Sequence, residues 1–286
     1  MYYIFEKVIE ESAMERMTNI IITGCSTGIG LECAKYLKER YIKVYPTARD
    51  PKDVEMLKNI GFEHAMQLDV RNANAISSVI SKVIELDGSI DVWFNNAGYG
   101  QVGAIEDMPT EVLREQYETN VFGLHECTRQ ILAVMRAQRY GKIIQHSSVL
   151  GIVSLFGRGA YNSSKYAIEG LTDTLRLELA GTDIYPVLLN TGPITSRFRD
   201  TAIKKLVENI DIPNSIHSDR YQRSIDGTSK SVPFNQEAST VAEVVHKIIL
   251  DDTPKPRYYI TKATYLLGYL KRILSSSLLD RVLQRV

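Results

Sequence analysis

Ser148, Tyr161 and Lys165 have the types and spacing that can do chemistry, in the run S-V-L-G-I-V-S-L-F-G-R-G-A-Y-N-S-S-K. Tyr161 and Lys165 are four residues apart. On a helix they stand one above the other on one face, roughly 6 Å apart along the axis. A phenol has an unperturbed pKa of about 10 and exchanges protons poorly at neutral pH. A cation beside it favours the phenolate and brings that pKa toward the working range. A hydroxyl such as that of Ser148, arriving from a strand end, would hold a carbonyl oxygen against the phenol. The chemistry is proton transfer to or from an oxygen. Y-x-x-x-K alone also arises by chance as a surface pair, so the weight rests on the residues around it.

Short β-type runs alternate with helical ones, which is the signature of βαβ units and a parallel sheet. The pattern predicts strands at Ile20–Thr23, Lys43–Thr47, Ala65–Leu68, Asp91–Asn95, Lys142–His146, Tyr185–Leu189 and Arg257–Ile260. Helices are predicted at Gly28–Arg40, Pro51–Asn59, Ala73–Leu86, Thr110–Arg139, Tyr161–Ala180 and Ser239–Leu250. Continuous apolar strands such as N-I-I-I-T are expected where helices cover both faces. The expected fold is a Rossmann-type, doubly wound parallel α/β sheet of about seven strands.

T-G-C-S-T-G-I-G (Thr23–Gly30) joins the first strand to the first helix. Gly24, Gly28 and Gly30 let the backbone turn and approach a pyrophosphate, and the helix N-terminus supplies N–H groups and a positive dipole end. Ser26 and Thr27 can add hydroxyl contacts, or simply cap the helix. Cys25 reads as a small filler. Asp69, before Val70 at the third strand end, can accept from an adenine amine or cap a helix. Asn96, Ala97 and Gly98 end the fourth strand and leave room beside a ribose.

Lys+Arg and Asp+Glu both number 34, so nothing in the charge balance calls for nucleic acid. Three cysteines without C-x-x-C argue for a reducing compartment, and five scattered histidines show no metal-ligand spacing. The acidic N-terminus is not a signal peptide, and no apolar run reaches the ~18 residues of a membrane span. A cytoplasmic protein is expected, at most peripheral to a membrane. Residues 1–16 read as an extension, with Met17 as an alternative start. Residues 17–262 form one catalytic domain, with a polar insertion at about 196–238 over the ligand crevice as a substrate lid. Residues 263–286 place Leu266, Leu270, Ile273, Leu274, Leu278 and Val282 at helical spacing beside Lys271, Arg272, Arg281 and Arg285. This basic amphipathic helix either packs on the body or a partner, the favoured reading, or lies at a membrane surface.

Taken together, the chain resembles the short-chain dehydrogenase/reductase family from about Met17 to Thr261. The resemblance rests on T-G-x-x-x-G-I-G at 23–30, N-N-A-G at 95–98, N-V-x-G from Asn120, Ser148, Y-x-x-x-K at 161–165 and G-P-I-T-S at 192–196. It departs at Thr191, where the family usually has proline, and at Ser196, where threonine is usual. The resemblance implies that Tyr161 is the general acid in reduction, Lys165 lowers its pKa and bonds the nicotinamide ribose, and Ser148 orients the carbonyl. Asn120 would hold a water linking Lys165 to solvent. It also implies a dinucleotide site that includes Ile29, Val70, Gly192, Ile194 and Ser196, and a homodimer or homotetramer built on the two long helices. Ser147 rivals Ser148, but the thirteen-residue gap to the tyrosine favours Ser148.

The second strand ends A-R-D. An acid about twenty residues after the glycines would bond a free ribose 2′-hydroxyl, and an arginine would accommodate a 2′-phosphate. Both occur, as Arg49 and Asp50. Ala48 stands where the family's NAD-selecting acid usually lies, so NADP(H) is favoured and NAD(H) is the alternative. The branch resembled most acts on hydroxysteroids, retinoids and acyl lipids, which implies a small lipophilic ketone or alcohol as substrate. The rivals are a 3-oxoacyl thioester reductase with an acidic carrier protein and, outside enzymes, a catalytically silent nucleotide sensor. The intact tetrad speaks against the sensor.

Overall fold

The computed structural model describes residues 17–227 and 233–285. The expected N-terminal extension and residues 228–232 of the expected lid lie outside the described residues. Seven strands form one parallel sheet: β1 (Asn19–Ile22), β2 (Lys43–Ala48), β3 (Met66–Gln67), β4 (Val92–Asn95), β5 (Tyr140–Ser148), β6 (Asp183–Thr191) and β7 (Arg257–Tyr259). Their spatial order is β3-β2-β1-β4-β5-β6-β7. The order reverses between β1 and β4, and a crevice opens there at the carboxyl ends of the strands.

Strand β1 shows why the sheet is covered on both sides. Ile20 and Ile22 join one core cluster and Ile21 the other, because successive side chains point to opposite faces. One face is closed by α1 (Gly28–Lys38), α2 (Pro51–Asn59) and α9 (Ala238–Leu250), through residues such as Leu37, Leu57 and Val245. The other is closed by α3 (Ala73–Asp87), α5 (Leu124–Gln138) and the end of α6 (Gly159–Glu178), through Val83, Ile131 and Leu179.

Two prolines inside strands cost no ladder bond. Thr47 O accepts from Cys25 N and therefore faces β1, so Pro46 faces the β3 side, where pairing begins only at Thr47. Pro186 likewise faces the β7 side before that strand begins at Leu188. A missing N–H is tolerated where no neighbour waits for it.

The structure breaks two expected helices and adds helices within the expected lid. The single helix predicted over Thr110–Arg139 is α4 (Thr110–Tyr117), a π-helical stretch Glu118–Gly123, then α5. Asn120 lies in that stretch, bonded to the Tyr99 backbone from both ends of its amide. The region 196–238 contains α7 (Phe198–Asn209) and α8 (Ser218–Asp226). Ala202, Leu206, Ile210 and Tyr221 pack there on Val102 and Ala104. The C-terminal segment is two helices, α10 (Lys262–Ile273) and α11 (Ser276–Leu283). The break falls at Leu274 and Ser275, both of which take extended rather than helical backbone.

Candidate active site

The glycine loop leaves β1 and enters α1 at Gly28. Gly24 has φ +72° and lies against Ala97, where a Cβ would come 2.8 Å from the alanine Cα. At Gly30 a Cβ would sit 2.4 Å from the Gly24 carbonyl oxygen. The loop closes on itself only because those side chains are absent. Thr27 occupies the N-cap position without a side-chain capping bond, so its hydroxyl is not spent on the helix. Ser26 is half-buried beside it, and Ile29 packs on the core below. Cys25 is buried, and burial pushes its thiol up to about 12. This residue is a filler.

Asn96 ties the second wall to the first. Its amide donates to the carbonyls of Thr23 (2.9 Å) and Gly24 (3.0 Å), while the Thr23 hydroxyl accepts from Asn96 N and Ala97 N. Gly98 follows, next to Asn120. Ser196 closes the roof: a Cβ on Gly28 would lie 3.3 Å from the Ser196 Cβ. Gly192 opens that roof segment against Thr261, and Ile194 bridges to Gln236. The backbone cradle, free hydroxyls and helix terminus fit a dinucleotide.

At the adenosine end the acidic residues are already engaged. Asp69 is held by the Arg71 guanidinium at 2.6 Å and also accepts from Arg71 N. Those bonds keep its carboxyl below the usual range, and the charge of Arg49 adds to the effect. Val70 is buried in the core behind it. Asp50 caps α2, its carboxylate accepting from Lys52 N at 2.9 Å. Arg49 is exposed. Arg71, absent from the motifs, is a second cation at this corner.

Ser148 ends β5, buried, its hydroxyl accepting from Leu150 N at 3.1 Å. Tyr161 stands in the first turn of α6 with its ring 5.2 Å from that of Phe198. Lys165, one turn on, is buried, and its ammonium lies 5.5 Å from the Tyr161 ring centroid. It donates to the His146 carbonyl at 2.6 Å. The serine, tyrosine and lysine therefore converge. Ser147 points to the other side and donates to Glu169, which removes it as a rival.

The electrostatics differ from expectation. Burial pushes the Tyr161 phenol up to about 12, and the Ser148 hydroxyl and the charge of Arg158 oppose that rise. Burial holds the Lys165 ammonium down at about 8, with Glu169 pulling it back up. Burial thus outweighs the cation that the spacing placed beside the phenol. Asn120 does not meet Lys165 through its side chain, which donates to Tyr99 O (3.0 Å) and Ser164 Oγ (3.2 Å). Sequence reasoning missed Arg158, Arg71 and His146. The signal for His146 was a polar residue inside the buried run K-I-I-Q-H-S-S.

A cavity of about 930 Å³ is lined by Ile105, Glu106, Leu155, Phe156, Asn162 and His217 among others. Its walls come from the segment after Ser148, the loop after β4, and α6. Among the described residues, no helix is long and apolar enough to cross a membrane, and no cluster of side chains is arranged to hold a metal ion.

A doubly wound sheet with a glycine cradle at its switch point, and a serine, tyrosine and lysine beside it, defines a dinucleotide-dependent oxidoreductase. The chain matches the model of the family described as short chain dehydrogenase over residues 18–206, and it belongs to that family of NAD(P)-dependent dehydrogenases and reductases. It is 34% identical over 267 residues to the oxidoreductase YbbO of Escherichia coli, covering 93% of this chain and 94% of that one. It is 31% identical over 265 residues to a 3-ketodihydrosphingosine reductase of Bacteroides thetaiotaomicron, with the same coverage. Among solved structures, actinorhodin polyketide ketoreductase with NADPH superposes with a TM-score of 0.73 at 26% identity, over 88% of this chain and 97% of that one.

Proposed function

We propose that this enzyme interconverts a ketone or aldehyde and an alcohol on a lipophilic substrate of steroid, retinoid or acyl-lipid type, using NADP(H). The observation that carries the substrate class is the cavity bounded in part by Ile105, Leu155 and Phe156, with Gly159, Asn162 and Tyr166 of the helix that bears Tyr161 among its lining. Its apolar side chains suit an apolar body, and Glu106, Ser154, Asn162 and His217 add polar groups that would orient one. The 3-ketodihydrosphingosine reductase among the relatives supports the same class.

NADP(H), when bound in the cradle, supplies or accepts the hydride. In reduction the Ser148 hydroxyl holds the carbonyl oxygen against the phenol. Tyr161, protonated at neutral pH, then delivers its proton as negative charge develops on that oxygen. Lys165 stabilises the phenolate left behind. Asn120 serves the refilling of the proton by holding a water, with its side chain fixed by Tyr99 and Ser164. Phe198, its ring tilted against that of Tyr161, brings the start of α7 to the reacting centre as part of a lid.

Three observations support the cofactor choice. Asp50 is engaged as a helix cap, Arg71 bonds Asp69 where the charge of Arg49 also reaches it, and the ketoreductase relative was solved with NADPH. The same reading assigns the outer face of α10–α11 to peripheral membrane contact and makes the molecule a cytoplasmic homodimer or homotetramer. The test is turnover of NADPH with a panel of ketones that differ in the length and polarity of the chain on the carbonyl. Turnover confined to small polar ketones would refute the substrate class. NADH preferred in every assay would refute the cofactor choice.

A further inference from the structure

His146 stands two residues before Ser148 on β5 and belongs to none of the motifs. Its ring is half-buried against Phe94, with centroids 5.9 Å apart. Nδ1 lies 3.0 Å from Asn96 Oδ1, and Nε2 lies 3.2 Å from Thr191 Oγ1. The network assigns the tautomer. The Asn96 amide nitrogen donates to two backbone carbonyls, so Asn96 Oδ1 is an acceptor and His146 Nδ1 carries the proton. Nε2 is then an acceptor; the Thr191 hydroxyl lies 3.2 Å from it and 3.4 Å from the Ser147 carbonyl, and the shorter contact takes its one proton. Burial and the charge of Lys165 drive the imidazolium down to about 3, so the ring is neutral at any working pH.

One residue thus touches three parts of the site. Through Asn96 it reaches the glycine loop at Thr23 and Gly24. Through Thr191 it reaches the start of the roof segment Gly192–Ser196. Through its own carbonyl it holds the Lys165 ammonium. Thr191 is also where the chain departs from the family pattern of proline, which has no side-chain hydrogen-bonding group. The departure and the histidine explain each other. The ring nitrogen needs a donor, because a polar atom enclosed without a partner is costly, and Thr191 supplies one.

We infer that His146 and Thr191 act as a positioning pair, locking the roof segment to the glycine loop and Lys165 and so setting the nicotinamide end of the cofactor. The inference rests on the dinucleotide reading of those loops. The pair transfers no proton to substrate or cofactor. It constrains one end of the site and leaves the adenosine end, built by Arg49 and Asp69, untouched.

Thr191→Val removes the hydroxyl and keeps the shape, Thr191→Ser restores it, and His146→Leu removes the partner. Binding of NADPH and of 2′,5′-ADP, which fills only the adenosine end, is measured by calorimetry beside kcat and KM. For Thr191→Val the expected result is NADPH binding weakened about two- to tenfold, the worth of one net hydrogen bond. Its kcat falls as well, and its affinity for 2′,5′-ADP is unchanged. Thr191→Ser recovers most of both losses. The double variant His146→Leu/Thr191→Val is no worse than the worse single one, because residues in contact are not additive. Equal losses for NADPH and 2′,5′-ADP, additive losses in the double variant, or a silent Thr191→Val each overturn the pair. If His146→Leu fails to fold, the Val and Ser variants of Thr191 decide alone. A wild-type chain that binds neither NADPH nor NADH refutes the dinucleotide reading itself, a result distinct from the others.

Discussion

Tyr161 is the residue on which the proposed reaction turns, because with its phenol pushed up to about 12 it is a protonated donor at every working pH. Tyr161→Phe removes one hydroxyl and keeps the ring against Phe198. The fold should survive and turnover should fall by ~10²-fold or more, as for a positioned general acid. Near-normal kcat in that variant would end the mechanism. Lys165 titrates inside the accessible range, at about 8. Below that pH it is an ammonium that stabilises the phenolate formed in reduction; above it the charge is gone. The kcat/KM for reduction should therefore fall as pH rises through about 8. Lys165→Met should be slow and lack that step, and a step of the same midpoint in Lys165→Met would assign it elsewhere. Arg49 belongs to the same scale. Hydrogen bonds to charged groups contribute roughly 1.5–3 kcal/mol, or about ten- to a hundredfold in affinity. Arg49→Ala should weaken NADPH by about that factor and leave NADH nearly unchanged. Wild type preferring NADH, with Arg49→Ala silent, would hand the choice to Asp50.

Among the elements, the C-terminal pair shows how packing revises a sequence reading. The apolar spacing of the tail was legible, and one side does pack on the body. Leu267, Leu270, Leu274 and Leu279 meet Val149 and Val153 in the segment after Ser148. Removing the tail would strip the wall next to the serine, so point substitutions are the cleaner probe. Leu266 and Tyr269 are 50% and 64% exposed on the outer face, with Lys262 and Arg272 on the same helix. Apolar side chains rimmed by cations suit an anionic lipid surface. Leu266→Ser/Tyr269→Ser should keep activity on a dissolved substrate and lose co-sedimentation with vesicles containing anionic lipid. Equal sedimentation of both proteins would remove the membrane reading. Other elements were less legible. The π-helical stretch at Asn120 was invisible to periodicity, because one residue added to a helix leaves the apolar spacing on either side intact. Helices α7 and α8 were hidden because their apolar contacts, Leu206, Ile210 and Tyr221, face a loop far away in sequence.

For the whole molecule, the sheet order places the carboxyl ends of β1 and β4 side by side and so brings Thr23–Gly30 and Asn96–Gly98 into one crevice. A subunit interface on the long helices is the remaining global proposal. Leu175 and Leu179 turn toward the sheet, while Leu171 and Phe122 stay 43% and 52% exposed. Light scattering at micromolar concentration should give a dimer or tetramer, and a monomer there would leave those side chains without a partner subunit. By itself, the sequence determined the strand and helix alternation, the glycine cradle, the tyrosine–lysine pair and the serine thirteen residues before it. These follow from local periodicity, backbone freedom and spacing along one helix or one turn, which neighbouring residues encode. The tertiary structure alone decided that burial rather than Lys165 rules the phenol's proton, and that His146 reaches Asn96 and Thr191. Those outcomes depend on desolvation and on partners as much as 50 residues apart in the chain, which no local pattern records.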